Sequence, residues 1–174
     1  MKNTIVLIDG SNFYYKLKSL GFKNLLDFNF SGFIKYLCKD TNTAIYYIGK
    51  IRTDGTRKAQ RLHTEQQHLL ERLKKHKVQY KLGYLLKTQG RYHEKGVDVQ
   101  IAVDILIAAY ENLYKNILLI SSDTDIIPAI KKSKDLGKPI SYIGFKHQPS
   151  KALIRESTDH YLLNKSELKQ FVKA

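Results

Sequence analysis

The apolar positions of the chain fall into short continuous runs separated by stretches of helical period. The first run, NTIVLID at residues 3–9, is β-branched and wholly apolar at its centre, the pattern of a strand covered on both faces. It stops at Asp9. A helix is expected from Asn12, and SGFIKYLCK supports another with Ser31 as its N-cap. TAIYYIGKI reads as a second strand. Residues 57–77 put Ala59, Leu62, Leu69, Leu70 and Leu73 on one helical face. VQYKLGYLL then alternates, with Val78, Tyr80, Leu82, Tyr84 and Leu86 to one side, and TQGRYHEKG reads as a loop. GVDVQIAVDILIAAY is apolar almost all round and predicts a buried helix. A strand (NILLISS), a helix closed by Gly137 (TDIIPAIKKSKDLG) and a further strand (PISYIGF) follow, and Pro128 falls near a first helical turn, where it is tolerated. The tail YLLNKSELKQFV predicts a short strand and a helix capped by Ser166. This alternation predicts an α/β fold, a mostly parallel sheet with helices on both faces. No repeat, low-complexity segment or linker interrupts it, so a single domain over residues 1–174 is expected.

Composition adds a charge constraint. Thirty Lys and Arg face sixteen Asp and Glu, a formal net charge of +14 that favours a polyanionic partner such as nucleic acid. The single cysteine, Cys38, sits in an apolar context, so it suits a packed thiol in a reducing compartment and offers no disulfide or Cys-paired zinc site. The apolar run Ile5 to Ile8 is too short for a signal peptide, and no stretch approaches the ~18 residues of a membrane span. A soluble, cytoplasmic protein without a membrane partner is the expectation.

The predicted topology then gathers acidic residues. Ligands of open parallel sheets bind outside the carboxyl ends of the strands. Asp9 stands at that end of the first strand, and Asp123 and Asp125 at the same end of the strand in LLISSDTD. Asp98, in KGVDV, opens the helix that leads back into that strand, so its N-terminus falls on the same rim. One aspartate after a strand is ordinarily a turn or a helix cap. Four on one rim repel one another unless a cation neutralises them, and a hard divalent ion takes oxygen ligands of this kind. Asn12 either orients Asp9 or caps the first helix. Asp104 lies about 120° around its helix from Asp98 and shares a side with Gln100 and Glu111, which reads as a solvated or partner-facing stripe. Ser121 and Ser122 suit strand-end hydrogen bonding, with contact to phosphate or to Asp123 as the alternative.

Other chemistries are disfavoured. His63, His68, His76 and His93 make no H-E-x-x-H arrangement, and G-x-S-x-G, P-loop and G-x-G-x-x-G patterns are missing from the sequence. Residues 50–95 carry thirteen Lys and Arg against four Asp and Glu. Within the helix from residue 57, Arg57, Lys58, Arg61, Arg72 and Lys75 share an arc of about 100°, roughly opposite the leucines. That arc is either a solvated face or a track for phosphates. Arg52, just past the second strand, lies nearer the acidic rim, and Tyr92 beside Arg91 suits stacking on an unpaired base.

VLIDGSN, KGVDVQIAVD and LLISSDTDIIPAI, in this order, resemble the NYN domains of the PIN-like nuclease superfamily, most of all the LabA-like branch. The resemblance spans roughly residues 3 to 165, including the closing TDHYLLN, and Ser122 departs from it where a glycine is common. It implies a PIN-like three-layer α/β/α fold and cleavage of RNA dependent on Mg²⁺ or Mn²⁺. It also implies Asp9, Asp98 and Asp123 as metal ligands, with Asn12 and Asp125 completing the catalytic set. Asp104 and Ser122 would support that set, and Arg52, Arg57, Lys58, Arg61 and Arg91 would contact RNA. In-line attack by water would leave a 5′-phosphate and a 3′-hydroxyl. The rival reading is a non-catalytic RNA-binding module, since some relatives are thought to bind without cutting. A phosphatase built on Asp123 and Asp125 is disfavoured by Ser11, where such an enzyme prefers an acid. Whether the chain forms a homo-oligomer stays open.

Overall fold

The apolar run that opens the chain becomes β1 (Lys2–Asp9), the middle strand of a seven-stranded sheet. The computed structural model describes residues 2–23, 25–39, 43–51, 55–88 and 91–172. From β1 the chain enters α1 (Gly10–Ser19), passes a 3₁₀ turn and α2 (Phe30–Leu37), and returns as β2 (Thr43–Gly49). Next come α3 (Arg57–Lys75) and the hairpin of β3 (Gln79–Thr88) with β4 (Arg91–Lys95). The second half runs α4 (Val97–Tyr110), β5 (Tyr114–Ile120), α5 (Ile127–Asp135), β6 (Ile140–Phe145), α6 (Lys151–Glu156), β7 (Asp159–Leu163) and α7 (Lys165–Lys169). The spatial order is β4-β3-β2-β1-β5-β6-β7, parallel throughout except for β4, which runs antiparallel to β3.

Alternation along β1 divides the core into two. Val6 and Ile8 face Phe13 of α1, Phe30 of α2, Leu73 of α3 and Leu168 of α7. Ile5 and Leu7 face Ile101 and Ile105 of α4, Ile130 of α5 and Leu153 of α6. The result is a three-layer α/β/α sandwich. Each fully buried aliphatic side chain in it contributes on the order of 1.5–3 kcal/mol. Among the described residues no helix is long and apolar enough to cross a membrane.

Four details differ from the sequence reading. RYHEK is a strand, not a loop; as the charged outer strand of a hairpin it has no apolar alternation to announce it. The segment Lys151–Glu156 adds a helix. The caps of α2 and α7 are Asn29 and Asn164, each two residues before the serine expected there. Finally, α4 is buried on one side only: Val99, Val103, Ile107 and Tyr110 are exposed, because a single helical layer covers this face of the sheet.

α3 has an anchor that the leucine pattern does not show. Gln66 is buried; its Nε2 donates to the Gly49 carbonyl at 2.8 Å and its Oε1 accepts from the Ile51 amide at 2.9 Å. Gln66 is therefore level with the carboxyl end of β2. The nine residues before it carry α3 about 13 Å past that end.

At the other end of α3, His76 Nδ1 lies 2.9 Å from Ser31 Oγ and the ring rests edge-on against Phe30. Burial, then the charges of Arg72 and Lys75, hold its pKa below the ordinary 6.5. The unfolded chain therefore takes up this proton first. The stabilisation is fully present above about pH 6.5 and is lost as pH falls below it toward the folded value. We predict that His76→Gln flattens the decline in stability below pH 6.5, read by urea denaturation at a series of pH values; an unchanged acid limb would refute the assignment.

Candidate active site

Asp9 ends β1 opposite Tyr47 of β2 and follows Ile5 and Leu7, so it belongs to the sheet face covered by α4 and α5. It is buried, and two chain segments hold it. As the N-cap of α1 it accepts from the Asn12 amide at 3.0 Å through Oδ1, while Ser121 Oγ donates to Oδ2 at 2.8 Å. Ser121 stands one residue past β5 and also accepts from the Asp123 amide at 3.1 Å. Asp123 in turn caps the 3₁₀ turn Thr124–Ile126, accepting from the Asp125 amide at 2.9 Å. One continuous set of hydrogen bonds thus joins Asp9, Asn12, Ser121, Asp123 and Asp125. It lies between β1 and β5, where the strand order reverses, the place at which open parallel sheets bind ligands.

Close packing permits this join. A Cβ on Gly10 would stand 2.2 Å from Tyr46 Cε1 and 2.5 Å from the Tyr47 carbonyl oxygen, so only glycine lets α1 start there. Tyr46 then donates its hydroxyl to the Gly10 carbonyl at 3.1 Å.

Asp98 reaches the same rim from α4. A Cβ on Gly83, at the level where β3 leaves β2, would meet Val97 Cγ2 at 2.6 Å, so α4 begins directly over that end of the sheet. Asp98 lies in the first turn, where its charge suits the helix N-terminus. Among the described residues it makes no hydrogen bond or ion pair. Asp104 sits on the other flank of the buried stripe, about 120° around the helix. It is not on a solvated stripe. Its Oδ2 accepts from the Tyr47 hydroxyl at 2.6 Å, and its Oδ1 accepts from Lys81 Nζ at 2.7 Å and Gln100 Nε2 at 3.2 Å. Burial, then this bond to Asp104, pushes the Tyr47 hydroxyl pKa upward, so it remains a donor. Asp104 therefore pins α4 to β2 and β3. Ser122 has its Oγ 3.2 Å from the Tyr142 hydroxyl of β6.

The basic residues divide similarly. Arg57, Lys58 and Arg61 are exposed on the part of α3 that extends past the strands. Arg91 lies opposite Thr88 near the tip of the β3–β4 hairpin, and Arg52 falls outside the described residues. Tyr92 belongs to β4. Sequence reasoning missed Tyr47, Lys81 and Gln66. A tyrosine inside an apolar strand and polar residues amid polar neighbours carry no signal until the strands are paired.

Three observations bear on whether a divalent ion fits. Among the described residues Asn12 Oδ1 is buried without a hydrogen-bond partner, on the residue whose amide bonds Asp9. Asp98, at the start of α4, has no partner among the described residues, and the candidate ligands are all oxygen. Among the described residues no three His, Cys, Asp or Glu side chains come together closely enough to hold a metal by themselves.

Comparison with known proteins agrees with the architecture. The family model described as NYN domain matches residues 3–164. A protein of unknown function, VPA0982 from Vibrio parahaemolyticus RIMD 2210633, has a similar crystal structure: TM-score 0.68, 18% identity, covering 99% of this chain and 96% of that one. The flap endonuclease of bacteriophage T5, in a pseudo-enzyme-product complex with DNA and metal ions, matches at TM-score 0.41 and 15% identity, over 70% of this chain and 50% of its own. No curated protein matches.

Two stability predictions follow from this geometry. Ser121→Ala removes a hydrogen bond to the buried Asp9 carboxylate and should cost about 1–3 kcal/mol in urea unfolding. Gly10→Ala should cost at least as much, because the added carbon meets backbone as well as the Tyr46 ring. Wild-type midpoints for both variants would remove the claim that this join holds the rim together.

Proposed function

This chain belongs to the NYN domain family, and we propose that it is a divalent-ion-dependent ribonuclease acting between β1 and β5. The observation that carries the proposal is the hydrogen-bonded set from Asp9 through Ser121 to Asp123, which gathers two aspartates from distant parts of the chain at the carboxyl ends of β1 and β5.

The ion, Mg²⁺ or Mn²⁺ in this reading, would bind one or two of Asp9, Asp98 and Asp123 directly and the rest through its own waters, since among the described residues no three such side chains come together. When bound, it would neutralise the carboxylates and the phosphate and lower the pKa of the attacking water. The protein's own groups do the rest. Ser121 fixes the Asp9 carboxylate, Asn12 offers an acceptor to orient water, and Asp125 closes the turn that aims Asp123. Arg57, Lys58 and Arg61, exposed on the first turns of α3, would draw the phosphates of an RNA backbone by their charge. Water attacks phosphorus in line, the bond to the 3′ oxygen breaks, and the products carry a 5′-phosphate and a 3′-hydroxyl.

A non-catalytic RNA-binding module is the second reading, and the lack of a three-ligand group among the described residues favours it. Measuring binding and cleavage on one RNA separates the two. Asp9→Asn keeps an acceptor for the Asn12 amide, so it should fold while losing Mn²⁺-dependent cleavage by at least about a thousandfold. Cleavage that survives either this substitution or a chelator would overturn the mechanism. Tight, salt-dependent binding with no product under any divalent ion would establish the binding module instead.

A further inference from the structure

On the sheet face opposite Asp9, α1 and α3 border a cavity of about 950 Å³, at the upper end of the size range of small-ligand sites. Phe28, Phe30, Tyr46 and Ile48 give it an apolar floor. Gly10 and Ser11 line it as well, so it begins where Asp9 ends. The residues about its mouth are not what a helix needs for its own packing. Tyr15 is 66% exposed and Tyr14 is 43% exposed, with ring centres 5.4 Å apart and nearly perpendicular. Lys18 Nζ lies 5.9 Å from the centre of the Tyr14 ring. Across the cavity, Arg61 stands on the extended part of α3, paired with Glu65 at 2.8 Å and well exposed, so the pair opens at little cost.

Apolar depth, exposed aromatic rings and a basic rim match the chemistry of an unpaired nucleobase with its phosphate. Single-strand binders combine these same elements, because every base has a face to stack and every linkage a charge to meet. Bases paired within a duplex are stacked and turned inward, so they cannot enter. Asp9 and this cavity lie on the two faces of the sheet at the carboxyl end of β1, and Gly10 and Ser11, which follow Asp9, line the cavity.

We propose that the α1–α3 cavity is a base-binding subsite, in which Tyr14 and Tyr15 stack on an unpaired nucleoside of a strand whose backbone crosses the acidic rim. The proposal rests on the nucleic-acid reading above and adds to it a second point of contact, on the far side of the sheet. Arg61 meets a phosphate of the same strand, exchanging Glu65 for it.

The test measures binding of fluorescein-labelled octauridylate and of a blunt RNA duplex by anisotropy, over a range of salt, with EDTA present to stop cleavage. Tyr15→Ala and Tyr14→Ala should each weaken octauridylate binding about tenfold or more with the salt slope unchanged, and Tyr15→Phe should restore it. Arg61→Ala should reduce the salt slope by about one charge. Duplex binding should respond little to either tyrosine. Alanine variants that bind octauridylate as the wild type does would overturn the subsite. So would uridine 5′-monophosphate competing as strongly as octauridylate, which would mark a small-molecule cavity. Tyrosine effects seen in a protein that cuts no RNA would uphold the subsite and remove only the nuclease reading.

Discussion

Asp9 gives its two oxygens to two different chain segments: the amide of Asn12 holds one and the hydroxyl of Ser121 the other. A buried charge costs several kcal/mol unless such bonds replace water, so the carboxylate is tolerable only where β1, α1 and β5 meet correctly. The bonds also run the other way. They fix the start of α1, the exit of β5 and, through the Asp123 amide, the turn beyond it. Gly10 belongs to the same constraint, because its missing side chain is what lets α1 leave β1 beneath Tyr46.

The two helical layers carry different burdens around this point. α4 lies across the face that Asp9 shares, and the Tyr47–Asp104–Lys81 bonds set its position against β2 and β3. Those bonds leave Asp98 on the opposite flank, at the end of the helix nearest the rim. On the other face, Gln66 clamps α3 to the end of β2, which sends the basic first turns of that helix beyond the sheet. One layer therefore presents acid and the other base, with the carboxyl ends of the strands between them.

Much of this was legible in the sequence because strands stop where apolar runs stop. Asp9 and Asp123 could be placed at strand ends, and Asp98 at a helix start, from pattern alone. What pattern lacks is lateral information. Ser121 joins β1 to β5 only once those strands are neighbours, 112 residues apart in the chain. A helical wheel put Asp104 beside Gln100 but could not reveal Lys81 and Tyr47 facing it. The same wheel, seeing α4 apolar all round, predicted burial where Val99, Val103, Ile107 and Tyr110 are exposed. Leu62 was assigned to the packed side of α3 and is instead exposed at the edge of the α1–α3 cavity. Caps shifted by two residues, Asn29 for Ser31 and Asn164 for Ser166, because small polar residues cluster near helix starts and only backbone geometry selects among them.

The distance along the chain between Asp9 and Ser121 also sets a time order during synthesis. A nascent polypeptide has made the first acidic residue long before the ribosome has released its partner strand, and in that interval β1 has no neighbour on its β5 side. The rim is assembled only when the second half of the chain arrives, so a truncated or still-growing chain holds Asp9 without the Ser121 hydroxyl that meets it in the finished fold.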